Sequence, residues 1–450
     1  MSVFAGDGAV LGAAYGTAPM RAILGEAAAL RHMLAFEAAL ARAEARCGLI
    51  PAEAATAITA AAARIELDPA VLAASVASMG FPTVGLVAQL SAAAGPEAGR
   101  YVHWGATTQD VLDTAMVLQW RDALALFAAD LDRLIAGLAA LARAHRDTLM
   151  PGRTHAQPAL PVTLGFKAAV WLDPLLRMRD RLAELRPRCL MLQFGGAVGT
   201  LASLGADGPR VAAALAKELG LGTPDIPWHV ARDRLVEVAA FAAMLAGCCA
   251  KPATDILLLM QAEIGEAAEP AAPGKGGSST MPQKRNPIGC EFVIAQARHA
   301  AGLLPQLLLA MAHEQERGAG PMQMEQLAWP PLLLVAHGAL ATLIPIVAGL
   351  EVDAPRMRAN LAAQGGTIMA EAAMMGLAPA LGRGAAHAAV KLAVATALSG
   401  GATLASSLAA DPAIAARLDP ASIARLTDPA TYLGASDIFI DQVLARVDCR

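Results

Sequence analysis

From Gln109 to Leu149 the chain carries no proline. Within it Leu131, Leu134, Ile135, Leu138, Leu141 and His145 fall on one stripe at helical spacing. The run predicts a single helix of about forty residues, roughly 60 Å long at about 1.5 Å per residue. Similar patterns run from Pro161 to Arg186, His229 to Glu266, Pro287 to Glu316 and Leu327 to Leu350. Pro174, Pro252, Pro305 and Pro345 are expected to kink them. Five long helices predict an all-α chain with an elongated central bundle. Shorter helical patterns flank it, so the expected division is residues 1–105, 106–350 and 351–450.

Composition agrees. Of 450 residues, 56% are hydrophobic but only 4% aromatic. Alanine dominates, and alanine is the best helix former. So much apolar surface implies buried interfaces, with the bundle packed against copies of itself. A net charge of −4 offers no basic face for nucleic acid. The six cysteines (Cys47, Cys189, Cys248, Cys249, Cys290 and Cys449) show no C-x-x-C spacing, which predicts a reducing, cytoplasmic setting and no zinc site. The first residues lack a basic and apolar leader pattern, so no signal peptide is expected. Pro330–Leu350 is apolar enough to resemble a membrane span. His337, three prolines and the lack of a flanking basic cluster favour a core helix instead.

The segment Gly274 to Pro287 concentrates chemistry. Gly274, Gly276 and Gly277 allow a left-handed backbone, Ser278, Ser279 and Thr280 supply hydroxyls, and Lys284 and Arg285 supply positive charge. Asn286-Pro287 reads as a helix start, with Asn286 as the cap. A hydroxyl loop running into cations and a helix N-terminus reads as a lid closing over an anion. An ordinary Gly/Ser linker would not carry Met-Pro-Gln-Lys-Arg-Asn-Pro behind it.

Two further polar segments sit at the ends of predicted long helices. His103-Trp104-Gly105-Ala106-Thr107-Thr108-Gln109-Asp110 offers donors for an anion. Taken alone, Thr107 or Thr108 reads first as a helix cap. Gly152-Arg153-Thr154-His155-Ala156-Gln157-Pro158 reads as a short polar turn between two long helices, where a lone histidine is usually a surface residue.

Together the three segments resemble the signature of the fumarase/aspartase superfamily. All eight defined positions of its Gly-Ser-Ser-x-Met-Pro-x-Lys-x-Asn-Pro loop are matched at Gly277–Pro287. The first segment is similar to the family's Gly-x-Thr-Ser-x-Asp region, with Thr108 in place of serine, and the second to its Thr-His-x-Gln region. The resemblance implies a homotetramer in which motifs from three subunits meet at each site. It implies addition or elimination across a carbon–carbon bond beside a carboxylate, with no metal or organic cofactor. By the same resemblance Ser278 exchanges the proton at carbon, and Lys284, Asn286 and loop amides hold the resulting charge. His155 with Glu291 matches the family's His–Glu pair.

Within the superfamily several stretches look most like a lactone-forming cycloisomerase branch acting on a small tricarboxylate. They are Arg100–His103, Leu192–Thr200, Pro227–His229, Arg232–Glu237, Ala272–Gly277, His313–Gly318 and Asp428–Gly434. Some members of that branch lack the second-motif histidine; this chain keeps both His155 and Glu291, which either protonate the substrate or bind one of its carboxylates. Candidate substrate-binding residues are Thr107, Thr108, Thr154, Gln157, Ser279, Asn286, Arg232, Arg317 and His103. For Arg232 and Arg317 the plainer reading is a surface ion pair with nearby acids. The runner-up is an adenylosuccinate lyase-type elimination. The absence of serine between Thr280 and Ser399 counts against the phosphate pocket it would need. A non-catalytic, crystallin-like structural role is the third reading; the intact Ser278, His155, Lys284 and Glu291 argue against it.

Overall fold

The structure is a computed structural model and describes residues 8, 10–271, 277, 281 and 283–448. Ser278 and Ser279 lie outside the described residues. The chain is helical, with five long helices as expected: α7 (Thr108–Ala144), α8 (Leu164–Cys189), α10 (Asp233–Leu259), α11 (Ile288–Leu309) and α12 (Pro321–Ala348). Before them come α1 (Ala18–Leu24), α2 (Glu26–Arg46), α3 (Ala52–Arg64), α4 (Pro69–Met79), α5 (Thr83–Ala94) and α6 (Pro96–Gly99). Helix α9 (Gly208–Leu219) stands between α8 and α10. Helices α13 (Ala354–Ala362) to α19 (Ser436–Asp448) close the chain.

Two compact units form. The first comprises residues 1–131, 178–247 and 295–341, the second residues 132–177, 248–294 and 342–450. In the first, three long helices meet through aromatic edges. Phe127 of α7 stands edge-on to Phe241 of α10 at 6.1 Å and to His337 of α12 at 5.2 Å, and Trp120 meets Trp329 at 6.3 Å. With so few aromatics in the chain, these anchors fix how alanine-rich helices are spaced. The second unit buries Met150, Leu164, Leu259, Ala267 and Met357 together, and a separate cluster from Met369 to Ile423. Helices α10 and α12 are long and apolar enough to span a membrane, yet 61% and 72% of their most apolar windows are buried inside the protein. Helix α12 begins at Pro321, not Leu327, and runs through Pro330 and Pro331.

One expectation is overturned in the second unit. The segment after α7 is not a short turn but a two-stranded hairpin, β1 (Leu149–Thr154) and β2 (Gln157–Thr163). Three prolines close together, Pro151, Pro158 and Pro161, disfavour a helix, and they tolerate the outer positions of a two-stranded ribbon. The strands pair Pro151 with Pro161 and Thr154 with Gln157, with a bulge at Gly152/Arg153. Only glycine fits at 152, where a Cβ would lie 2.8 Å from the Leu160 carbonyl oxygen. A second small ribbon pairs β3 (Ala267–Ala268) with β4 (Glu351–Val352).

Candidate active site

The first unit organises its candidates around the start of α7. The Thr107 carbonyl accepts from the Asp110 amide at 3.0 Å, and the Thr107 amide donates back to Asp110 Oδ2 at 3.0 Å. Thr107 therefore takes the cap position through its backbone, while a third-residue carboxylate satisfies its amide. The threonine hydroxyls do not cap: neither Thr107 nor Thr108 Oγ1 has a hydrogen-bond partner among the described residues. Asp110 is fully buried. Beyond Thr107 it accepts from the Gly195 and Gly196 amides, both at 2.9 Å, from Gln193 Nε2 at 3.3 Å and from His229 Nε2 at 2.7 Å. One carboxylate thus pins the Gln193–Gly196 loop and the Trp228-His229 segment to the helix start.

Arg232 is corrected. It is not offered to a ligand but enclosed, with its guanidinium divided between Asp113 (2.8 and 3.0 Å) and Glu325 (2.9 and 2.6 Å) and lying over the Trp228 ring at 5.2 Å. Burial favours its neutral form, but the two carboxylates outweigh that and hold it more firmly protonated than free arginine. Burial likewise pushes Glu325 up, yet hydrogen bonds from His313 and Arg232 hold it below the usual carboxylate range. The ion pair is the plainer reading, moved from surface to core. Arg317 is exposed, and it donates to the Ala197 carbonyl at 2.9 Å instead of to an acid. His103, with positive φ, is bound at 2.6 Å to the buried Glu37. Burial draws it towards neutrality, but Glu37 prevails and raises its pKa.

The second unit treats its candidates differently. Thr154, His155 and Gln157 form the exposed tip of the hairpin. His155 (φ 50°) and Ala156 (φ 62°) are both left-handed, as a two-residue type I′ turn demands, with no glycine to make it cheap. Such residues cost about 1–3 kcal/mol each and persist where neighbours over-determine them. The neighbour here is Glu266, fully buried. It receives both Arg153 Nη atoms at 2.8 and 2.6 Å and Asn360 Nδ2 at 2.7 Å. The clamp grips the hairpin at its bulge, two residues before His155.

Lys284 and Glu291 are exposed and Asn286 half-buried. Among the described residues, no hydrogen bond or ion pair links His155 to Glu291 within the chain, and Lys284 has no side-chain partner. Arg285 is different: it binds Glu351 at 2.9 Å and the Glu269 carbonyl at 2.7 Å. Glu351 also accepts the Ala271 amide at 2.7 Å. The expected anion site at the start of α11 is also revised. The helix begins at Ile288, with Pro287 rather than Asn286 accepting from the Glu291 amide. The buried Glu269 carboxylate takes the Gly289 and Cys290 amides at 3.2 and 2.7 Å. An internal anion already fills that N-terminus.

Sequence reasoning missed Asp110, Asp113, Glu266, Glu269, Glu325 and Glu351 as organisers. Only Asp110 left a signal, as the acid three residues past a predicted cap.

The lyase family matches residues 14–302, and the family described as adenylosuccinate lyase C-terminus matches residues 366–443. The chain belongs to the lyase family of the fumarase/aspartase superfamily. It is 49% identical over 433 residues to a 3-carboxy-cis,cis-muconate cycloisomerase of Pseudomonas aeruginosa, covering 95% of this chain and 94% of that one. A protein of the same name from Bradyrhizobium diazoefficiens is 47% identical, with 96% of each chain covered. The crystal structure of a 3-carboxy-cis,cis-muconate lactonizing enzyme from Pseudomonas putida matches with a TM-score of 0.94 at 45% identity, over 98% of this chain and 99% of that one.

Proposed function

We propose that this protein is a cycloisomerase that converts 3-carboxy-cis,cis-muconate to 4-carboxymuconolactone. The observation that carries the reading is near-full-length likeness, at 47–49% identity, to proteins of that name. In this reaction a substrate carboxylate oxygen bonds to one carbon of a conjugated double bond, and its neighbour carries the electron pair until a proton arrives. No atom is lost. The difficult species is the carbanion, which an adjacent carboxylate can hold as an aci-carboxylate dianion if cations and N–H donors surround it. Lys284, exposed and without a side-chain partner among the described residues, is the cation for that task, with Asn286 beside it. Ser278 delivers the proton, and His155 with Glu291 protonates or binds a carboxylate. Thr107 and Thr108, whose hydroxyls have no hydrogen-bond partner among the described residues, and Arg317 bind the remaining carboxylates.

The site belongs to a homotetramer, with motifs from different subunits. Two observations support this. Among the described residues, the side chains of His155, Lys284 and Glu291 have no hydrogen-bond or ion-pair partner. In the first unit the long helices also expose Met244, Leu308, Leu309 and Leu327. A cytoplasmic location belongs to the same proposal, supported by five free cysteines among the described residues.

The test is turnover. Purified protein, with no metal added, should deplete 3-carboxy-cis,cis-muconate, read as loss of ultraviolet diene absorbance. Failure to do so, alongside cleavage of adenylosuccinate, would overturn the reading in favour of the elimination that the C-terminal match invites. Ser278→Ala should abolish turnover; if Ser279→Ala does so instead, the second hydroxyl moves the proton.

A further inference from the structure

A groove in the first unit is lined by none of the residues assigned above. Helix α2 presents Arg31, Leu34, Ala35, Ala38 and Arg42 along one face. Leu34 and Ala38 are buried, but Ala35 between them is exposed. It is exposed because it lines a groove of about 610 Å³, walled by α2, α3, α7 and α9. That volume lies within the range of small-molecule sites, about 300–1,000 Å³.

The lining has two characters. Its floor is small and apolar: alanines of α2 and α3, with Ile65, Leu118 and Leu219. Alanine methyls make a flat floor, which suits a flat ring better than a branched aliphatic chain. Its rim is cationic. Arg31, Arg42 and Arg121 line it against one carboxylate, Glu218. Arg42 is spent on Glu218 at 2.7 Å. Arg121 gives Nη1 to the Leu219 carbonyl at 3.1 Å and Nε to Asp122 at 3.2 Å. Arg31 is exposed and has no hydrogen-bond or ion-pair partner among the described residues. His32 lines the same groove, and Asp122 holds it at 3.2 Å. Burial lowers the His32 pKa, Asp122 opposes, and both arginines add to the lowering. At neutral pH His32 is therefore uncharged, and the local positive charge rests on the guanidiniums. A carboxylate on Arg31 would find a planar fork that binds it with two parallel hydrogen bonds.

We propose that this groove is a binding site for a small aromatic carboxylate, its ring on the alanine floor and its carboxylate on Arg31 and Arg121. The site is independent of the reaction assigned above.

Calorimetric titration of the full chain with benzoate tests it, with acetate as the apolar-free control. Wild type should bind benzoate saturably and acetate at least about tenfold more weakly. Arg31→Gln should weaken benzoate binding by about tenfold, and Ala35→Phe, which fills the floor, should abolish it. Both variants should keep wild-type turnover without benzoate. The proposal is overturned if wild type shows no saturable binding, if acetate binds as well as benzoate, or if both variants bind like wild type. Displacement by the tricarboxylate tricarballylate would also overturn it, by moving the bound benzoate to the reaction site. Loss of the muconate activity, by contrast, would leave the groove result standing.

Discussion

The start of α7 and the tip of the β1–β2 hairpin carry similar polar residues and treat them in opposite ways. At the helix start Asp110, Asp113, His229, Arg232 and Glu325 are buried and bonded to one another. At the hairpin tip Thr154, His155 and Gln157 are exposed, and the paired groups sit one step back, in Arg153, Glu266 and Asn360. A buried charge stripped of water must be paired by its own chain, so it has nothing left for a ligand. A charge or imidazole held out on a rigid stem has its capacity unspent. In the first region the buried charges are scaffold beneath Thr107 and Thr108; the second is a presented group and its mount.

The sharpest way to break that contrast is to exchange the expected losses. Arg232→Ala leaves Asp113 and Glu325 buried without the guanidinium they share, and should cost about 3–5 kcal/mol of unfolding free energy. Urea denaturation measures it. His155→Ala should leave the denaturation midpoint near wild type while lowering kcat by roughly 10²-fold or more. If Arg232→Ala folds as firmly as wild type, or His155→Ala unfolds early, the division between scaffold and presented group is wrong.

A smaller effect probes the mount. Glu266→Gln keeps the shape of the clamp but removes the charge that holds Arg153. It should lower kcat by about tenfold, on the scale of one charge-assisted hydrogen bond, with KM little changed. Ala156→Gly relieves the left-handed strain at the turn and should restore part of that loss in the double variant. A purely structural Glu266 would show equal effects on stability with no such rescue.

The smallest effect lies in a buried acid outside both regions. Glu44 is wholly buried, and neither carboxyl oxygen has a hydrogen-bond partner among the described residues. Burial, with help from Glu37, pushes its pKa up to about 9 from the usual 4.5. The folded state therefore keeps this proton where the unfolded state releases it. The stability it contributes is full below about pH 4.5 and is lost as the pH climbs towards about 9. Glu44→Gln should be more stable than wild type at pH 8, by about 1 kcal/mol or more, with the difference closing near pH 4.5. Thermal melts across that range would show it; parallel pH profiles would rule it out.

Much of the fold was legible in order along the chain. Helical stripes and proline-free runs placed all five long helices, because a helix is a local periodicity that needs no knowledge of distant residues. The loop motif at Gly277–Pro287 and the polar segments around Thr107 and His155 named the family for the same reason. The hairpin was misread as a turn, since its strands are short and rich in proline. The availability of each charge was not legible at all. Arg232 and Arg317 looked alike in sequence, yet one is sealed between carboxylates 119 and 93 residues away, and the other stays at the surface. Arg285 and Lys284 are adjacent, and among the described residues only Arg285 is tied down, by Glu351, 66 residues on. Residue order determined which helices form and which chemistry the chain carries. Tertiary contact decided which polar groups stay free, because pairing depends on partners that only folding brings within hydrogen-bond reach.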